Sequence, residues 1–414
     1  MLEKMKSAWR IPELRKKIIY TFGMLLLYRM LCCIPVPGVN IAAVSEAVKS
    51  FSVLDFMNMM TGGSFQNMTI MAMGITPYIN SSIILQLLTV AIPTLEKLAK
   101  EGPEGRKKIT EWTRYLTVAL AFVQAVGLVF AMRANSYGGI WYLVIGVSMA
   151  AGTALAMWVG ERITENGIGN GISLLIMAGI VSNMFNWSRQ AVVGLVAGTV
   201  GIIAVLVVVL AFLVMIVAIT YVDMGERRIP VQYAKRMVGR KMYGGQSTHI
   251  PMKLNSTGVM PLIFGFAILQ FPATVFAFFP TSGINLWWQG FQSGVWYQVV
   301  LAVLIIAFTY FYTGITFNPA DISKNMQQNG GIIPGIRQGR ATTDYLARVS
   351  SRLTLFSALF LAVLATIPTI ITRLFGVSTP FAASSVLIAV SVGIETIRQI
   401  EAQMVMRHHK GFLG

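Results

Sequence analysis

The chain has 414 residues, 55% of them hydrophobic and only 12% charged, with a formal net charge of +17 and a mean hydropathy of +0.67. A soluble domain carries about 25% charged residues, so this composition excludes a water-soluble globular protein and predicts an all-α polytopic membrane protein. Cys32 and Cys33 are adjacent inside an apolar run; they make neither a disulfide framework nor a metal-ligand spacing and read as small apolar residues.

Met1 to Lys17 is basic and polar, and no small-residue cleavage site follows the first apolar run, so a cleavable signal is not expected. Ten apolar segments of spanning or near-spanning length then follow, at about 18–34, 73–92, 113–132, 140–160, 171–186, 192–222, 258–279, 296–317, 351–372 and 382–401. With ten spans, 28 lysines and arginines fall on the side of the N-terminus and four on the other (Lys49, Arg133, Arg189 and Arg373), while Arg29 lies within the first span. That asymmetry predicts both termini in the cytoplasm.

The second span, Met73 to Val90, opens with Gly74 and Pro77 and carries Asn80, Ser81, Ser82 and Gln86 at membrane depth. Such groups stay unsatisfied in hydrocarbon, so the helix is expected to line a protein interior or a watery cavity. Ahead of it, Phe51 to Gln66 is Met-rich, too short to span and ended by Gly62-Gly63, which predicts a re-entrant or half-inserted helix. A short plug-like segment leading into a cavity-lining helix is a channel's organisation.

Of the sixteen acidic residues only Glu395 falls plausibly within a span, near its cytoplasmic end beside Arg398. Ion-coupled transporters place ionisable groups near the midplane. A Walker A loop, an HExxH helix and a GxSxG elbow are all missing from the sequence, and Gly167-Ile168-Gly169-Asn170-Gly171 follows an apolar helix rather than a strand. No enzyme, cofactor or metal site is expected; His408-His409 lacks partner ligands.

Two loops are too long to be simple connectors. Residues 223–257 hold Arg227, Arg228, Lys235, Arg236, Arg240, Lys241 and Lys253 with Tyr233 and Tyr243 interleaved, and residues 318–350 centre on Pro334-Gly335-Ile336-Arg337-Gln338-Gly339-Arg340, a rigid turn presenting two arginines. Cytoplasmic loops are basic in any case, so loop length rather than charge favours a docking role on RNA phosphates or an acidic protein face.

Eight motifs, in order and together, resemble the SecY family, the pore subunits of bacterial protein-conducting channels. They are Ile11 to Arg29 (IPELRKKIIYTFGMLLLYR), Ile34 to Asn40 (IPVPGVN), Met73 to Val90 (MGITPYINSSIILQLLTV), Glu101 to Thr117 (EGPEGRKKITEWTRYLT), Ile163 to Ile176 (ITENGIGNGISLLI), Tyr233 to Asn255 (YAKR with QSTHIPMKLN), Phe317 to Thr342 (FNPADIS with PGIRQGRAT) and the last span.

The resemblance implies ten transmembrane helices in two pseudo-symmetric five-helix halves, residues 1–186 and 187–414, around an hourglass pore. It implies a pore ring of Ile75, Ile79, Ile172, Ile176, Ile263 and Ile388, and a plug over Phe51 to Gln66 that includes Asp55, Phe56, Met57, Met59, Met60 and Phe65. A lateral gate formed by the second, third, seventh and eighth spans would have Gln86 and Asn255 near its seam. Docking of a ribosome (rRNA and proteins) or the SecA motor would fall to Arg227, Arg228, Arg240, Lys241, Arg337 and Arg340. The implied partners are SecE-like and SecG-like small membrane subunits, signal sequences, nascent chains and membrane lipids, in the bacterial cytoplasmic membrane.

Residue chemistry agrees with the ring. Ile75/Ile79 and Ile172/Ile176 are each four apart, hence on one helix face, and stiff β-branched side chains make a narrow apolar collar, although each isoleucine taken alone reads as ordinary packing. Gln338 stands where the family commonly has proline, and is expected to loosen the docking turn. The competing reading, a secondary transporter for a small solute, requires a polar or charged midplane site where this chain has isoleucines; a third, a purely structural scaffold, requires that the ring be dispensable for the membrane seal.

Overall fold

The computed structural model describes residues 9, 11–41, 44, 58, 61–131, 138–198, 201–233, 236–238, 241–243, 247–277, 283–375 and 383–410. The apolar segments lie on helices, except that the one expected at 192–222 divides between a helix that runs on to Val196 and the next, which starts at Ile202. In chain order the helices are α1 (Pro12–Leu31), α2 (Thr76–Ala91), α3 (Pro93–Lys100), α4 (Pro103–Ala131), α5 (Trp141–Asn166), α6 (Gly171–Val196) and α7 (Ile202–Met224). After a strand-rich connection come α8 (Met260–Ala277), α9 (Gly283–Ser293), α10 (Val295–Thr316), α11 (Pro319–Gln328), α12 (Arg340–Phe375) and α13 (Ala383–Lys410). Six helices are long and apolar enough to cross a membrane among the described residues, or seven if α2 and α3, bent by 106° at Ile92, count as one span.

Local chemistry sets the boundaries. Proline occupies the first or second position of α1, α2, α3 and α11, where its fixed φ suits a helix start and its missing N–H costs nothing. Asn170 caps α6 by accepting from the N–H groups of Ile172 (3.1 Å) and Ser173 (3.3 Å), and Asn318 caps α11 through Ala320 N–H at 3.1 Å.

Helices α1, α2, α4, α5 and α6 pack chiefly on one another, as do α7, α8, α10, α12 and α13; the principal helix pairing between the two groups is α6 against α13. The second group surrounds a core that includes Ile219, Leu262, Ile305 and Leu361, all fully buried. Outward faces are apolar too: Ile203, Leu206, Leu210 and Val217 of α7 are exposed. An uninterrupted greasy face of that extent is stable only where lipid is the solvent.

The two long basic loops fold into one platform. β1 (Glu226–Tyr233) pairs antiparallel with β4 (Ser247–Lys253), with Ile229 opposite Ile250 and Glu226 opposite Lys253. β2 (Arg236–Val238) and β3 (Lys241–Tyr243) form a separate small hairpin between them. The other edge of β1 takes up β5 (Gly331–Ile332), which belongs to the second loop. Alternation along β1 turns Ile229 and Val231 inward, onto Met252, Met326, Ile333 and Leu346.

Candidate functional site

One apolar cluster is fed by helices far apart in sequence. Ile75 at the start of α2, Ile180 on α6 and Ile388 on α13 are buried in it; Ile79, Ile172 and Ile176 pack against it half-buried. Tyr28 and Cys32 at the end of α1, and Ala156, Val159 and Ile163 on α5, close the cluster from behind. Ile79 N–H donates to the Ile75 carbonyl at 3.1 Å, so the pair stack one turn apart. Ile263 is half-buried on α8 and is not among these residues; Val259, one turn before it, packs against both this cluster and the core of the second helix group. Sequence reasoning missed Ile180, although it continues the four-residue series from Ile172 and Ile176.

Glycines let the elements approach that closely. A Cβ on Gly171 would lie 1.9 Å from the Gly160 carbonyl oxygen, and one on Gly167 would meet Thr21 Oγ1 at 2.5 Å. The turn between α5 and α6 is tied on both sides: Ile168 N–H donates to Thr21 Oγ1 of α1 (3.0 Å) and Gly169 N–H to Gln399 Oε1 of α13 (2.9 Å). The glycine-rich run that superficially resembles a nucleotide loop is a packing joint.

Beside the cluster lies a segment whose conformation the sequence did not announce. Residues 61–75 run as successive turns rather than helix. Phe65, Met68 and Met73 are fully buried with Ala125, Ile145 and Met149 of α4 and α5. A Cβ on Gly152 would sit 1.8 Å from the Ile70 carbonyl oxygen, so this one glycine lets α5 and the segment touch backbone to backbone. Of the expected plug, Asp55, Phe56, Met57, Met59 and Met60 lie outside the described residues. In the described remainder the chain turns where the glycines were expected to end the segment: Gly62 and Gly63 have positive φ (65° and 87°), Thr61 to Gln66 is a turn structure, and Asn58 Oδ1 accepts from Gln66 N–H at 3.0 Å.

Gln86 is exposed on α2. Asn255 is buried ahead of α8, its Oδ1 accepting from Thr257 (3.3 Å) and from Ser357 of α12 (3.1 Å). The two residues expected at one seam thus have different surroundings, and the bonds of Asn255 stay within the connection before α8 and tie it to α12.

On the platform Arg227, Arg337 and Arg340 are exposed, and Arg228 pairs with Glu226 at 2.8 Å. Arg240 lies outside the described residues; Lys241 opens β3. Gln338 does not loosen its turn: its Nε2 donates to the Gly331 carbonyl of β5 at 3.1 Å. Thr342 Oγ1 donates to the Arg337 carbonyl (2.8 Å) and Ser323 Oγ to the Gly339 carbonyl (2.9 Å). A side-chain amide holds what proline would otherwise stiffen.

A bundle of apolar helices that brings isoleucines from three separated helices into one cluster, and whose polar loops join into one arginine-bearing platform, has the build of a membrane channel subunit. The SecY family model matches residues 69–397. Over 448 aligned residues the chain is 42% identical to the protein translocase subunit SecY of Mycobacterium tuberculosis, with all of both chains covered. Among solved structures it resembles a protein conducting channel (TM-score 0.69, 20% identity, 94% of this chain and 93% of that one). It also resembles Sec61 in the canine ribosome-channel complex from the endoplasmic reticulum (TM-score 0.66, 19% identity, 94% and 93%). The chain belongs to the SecY family of protein translocase subunits.

Proposed function

We propose that this chain is the pore of a protein-conducting channel in the bacterial cytoplasmic membrane. In this reading ten helices cross the bilayer in two five-helix halves, and both termini face the cytoplasm. The observation that carries the reading is that Ile75, Ile79, Ile172, Ile176 and Ile388, from three helices distant in sequence, pack in one apolar cluster. Such a collar excludes water and ions at rest and yields around a passing polypeptide. Ile180 and Val259 extend it beyond the set expected from sequence, and Ile263 borders it.

In this reading Phe51 to Gln66 serves as the plug, its described turn at 61–66 lying against Gly179 of α6. The helices on the α2 and α8 flank part towards lipid, while the α6–α13 pairing keeps the opposite flank closed. A sufficiently apolar segment leaves sideways because burying about twenty apolar residues in hydrocarbon is favourable. The chain has no nucleotide-binding motif, so directional force comes from outside, from a ribosome or a SecA-like ATPase docked on Arg227, Arg228, Arg337 and Arg340. A canine relative by fold is found in a ribosome-channel complex, which supports the ribosome as one partner; SecE-like and SecG-like small subunits complete the assembly.

Ion conductance of the reconstituted chain tests the collar. Ile75→Asn and Ile388→Asn each place a wettable amide in it and are expected to raise resting conductance well above the parent. Unchanged conductance in both variants would rule out a sealing role for the cluster.

A further inference from the structure

The channel reading gives Arg29 no task, yet a charge inside the first membrane helix is costly and calls for one. Its Nη2 donates to Ser182 Oγ on α6, which fixes the guanidinium between the two helices. Ser182 is six residues beyond Ile176, about 9 Å further along the helix, on the external side of the collar in the proposed orientation. The other nitrogen, Nη1, is fully enclosed and has no hydrogen-bond partner among the described residues. What covers it is the turn at Gly62: a Cβ there would lie 2.8 Å from Arg29 Nη1 and 2.7 Å from the Gly179 carbonyl oxygen. Only a glycine, at φ 65°, lets the turn sit so low.

A buried donor without an acceptor carries its full desolvation cost, and more so when charged. Lysine escapes such a site by losing its proton, whereas arginine stays charged. We propose that Arg29 keeps the seated plug metastable: Nη1 regains water only when the Gly62 turn lifts, so the charge biases the segment towards release. The sign matters, because a plain latch would act the other way. The Ser182 bond serves the same end by preventing the guanidinium from swinging out to find water while the plug stays in place. This inference rests on the reading of Phe51 to Gln66 as the plug.

The test uses the full chain in its membrane with its partners, and reads both the translocation rate of a secretory substrate and the resting ion conductance. Arg29→Met removes the trapped charge and is expected to slow translocation at least about threefold, with resting conductance no higher than the parent's. Arg29→Gln, neutral and still a donor, is expected to change both readouts in the same direction. Ser182→Ala deletes one hydroxyl, leaves the fold intact and releases the guanidinium; a smaller slowing is expected. Adding Gly62→Ala to Arg29→Met, which pushes the turn off the Gly179 backbone, is expected to restore the rate. A rise in resting conductance in the Arg29 variants would make Arg29 a latch and overturn the proposal, as would an unchanged rate across Arg29→Met, Arg29→Gln and Ser182→Ala. The parent separates the two claims: if it does not pass the substrate the channel reading fails, whereas a competent parent with indifferent variants removes only the role of Arg29.

Discussion

Gln338 shows how one side chain can replace a backbone constraint. Its amide reaches across the turn to the Gly331 carbonyl and so holds Arg337 and Arg340 in a fixed presentation, which a docking partner reads as lower ordering cost. Gln338→Ala is expected to weaken binding of the detergent-solubilised chain to ribosomes by up to about tenfold, equivalent to about 1.4 kcal/mol, at a fixed salt concentration. Equal affinity would show that the strap does not order the turn. This bond was invisible in sequence because Gln338 and Gly331 are brought together only by the strand pairing of β5. The isoleucines were more legible, since spacing by four puts Ile75/Ile79 and Ile172/Ile176 on shared faces whatever the tertiary fold. Ile263 and Val259 could not be ranked that way: both lie at the start of α8, and only packing decides which of them meets the cluster.

At the scale of elements, long hydrophobic runs were enough to locate the long apolar helices, because bilayer thickness dictates their length; the short α3, α9 and α11 carry no such signal, and six or seven helices among the described residues are long and apolar enough to span. The turn segment 61–75 was not legible for the converse reason. It has no period of its own and is shaped by contact with α4 and α5, above all where Gly152 meets Ile70. The strands were equally hidden, since loops 223–257 and 318–350 reveal their joint only when β5 adds to β1. That joint predicts that the two loops behave as one body. Val231→Asp would bury a carboxylate among Ile229, Met252 and Leu346, a loss of several kcal/mol to the platform. Limited proteolysis is expected to cut both loops faster in this variant while α4, α5 and α6 stay protected. Faster cutting in 226–253 alone would mean the loops are independent.

For the whole molecule, the helices fall into two packing groups joined mainly by α6 against α13, with the Gly169 to Gln399 bond beneath that seam. The cluster draws Ile75, Ile79, Ile172 and Ile176 from the first group and Ile388 from α13 across the α6–α13 seam, so in the proposed reading it opens on its α2 side while that seam persists. That is how a passive bundle serves as a conduit: separation costs little where few contacts cross, and the apolar ring reseals by its own hydrophobicity. A transporter for a small solute would instead centre on polar groups at the midplane, whereas the cluster shared by α2, α6 and α13 holds Ile79, Ile176 and Ile388. The most direct measurement places a photo-crosslinker in turn at Ile176, at Ile388 and at the lipid-exposed Val217, with a secretory chain stalled part-way through the membrane. Adducts to the stalled chain at 176 and 388, with only lipid adducts at 217, are the predicted result; a stalled chain that crosses without touching 176 or 388 would contradict a polypeptide path through the isoleucine collar.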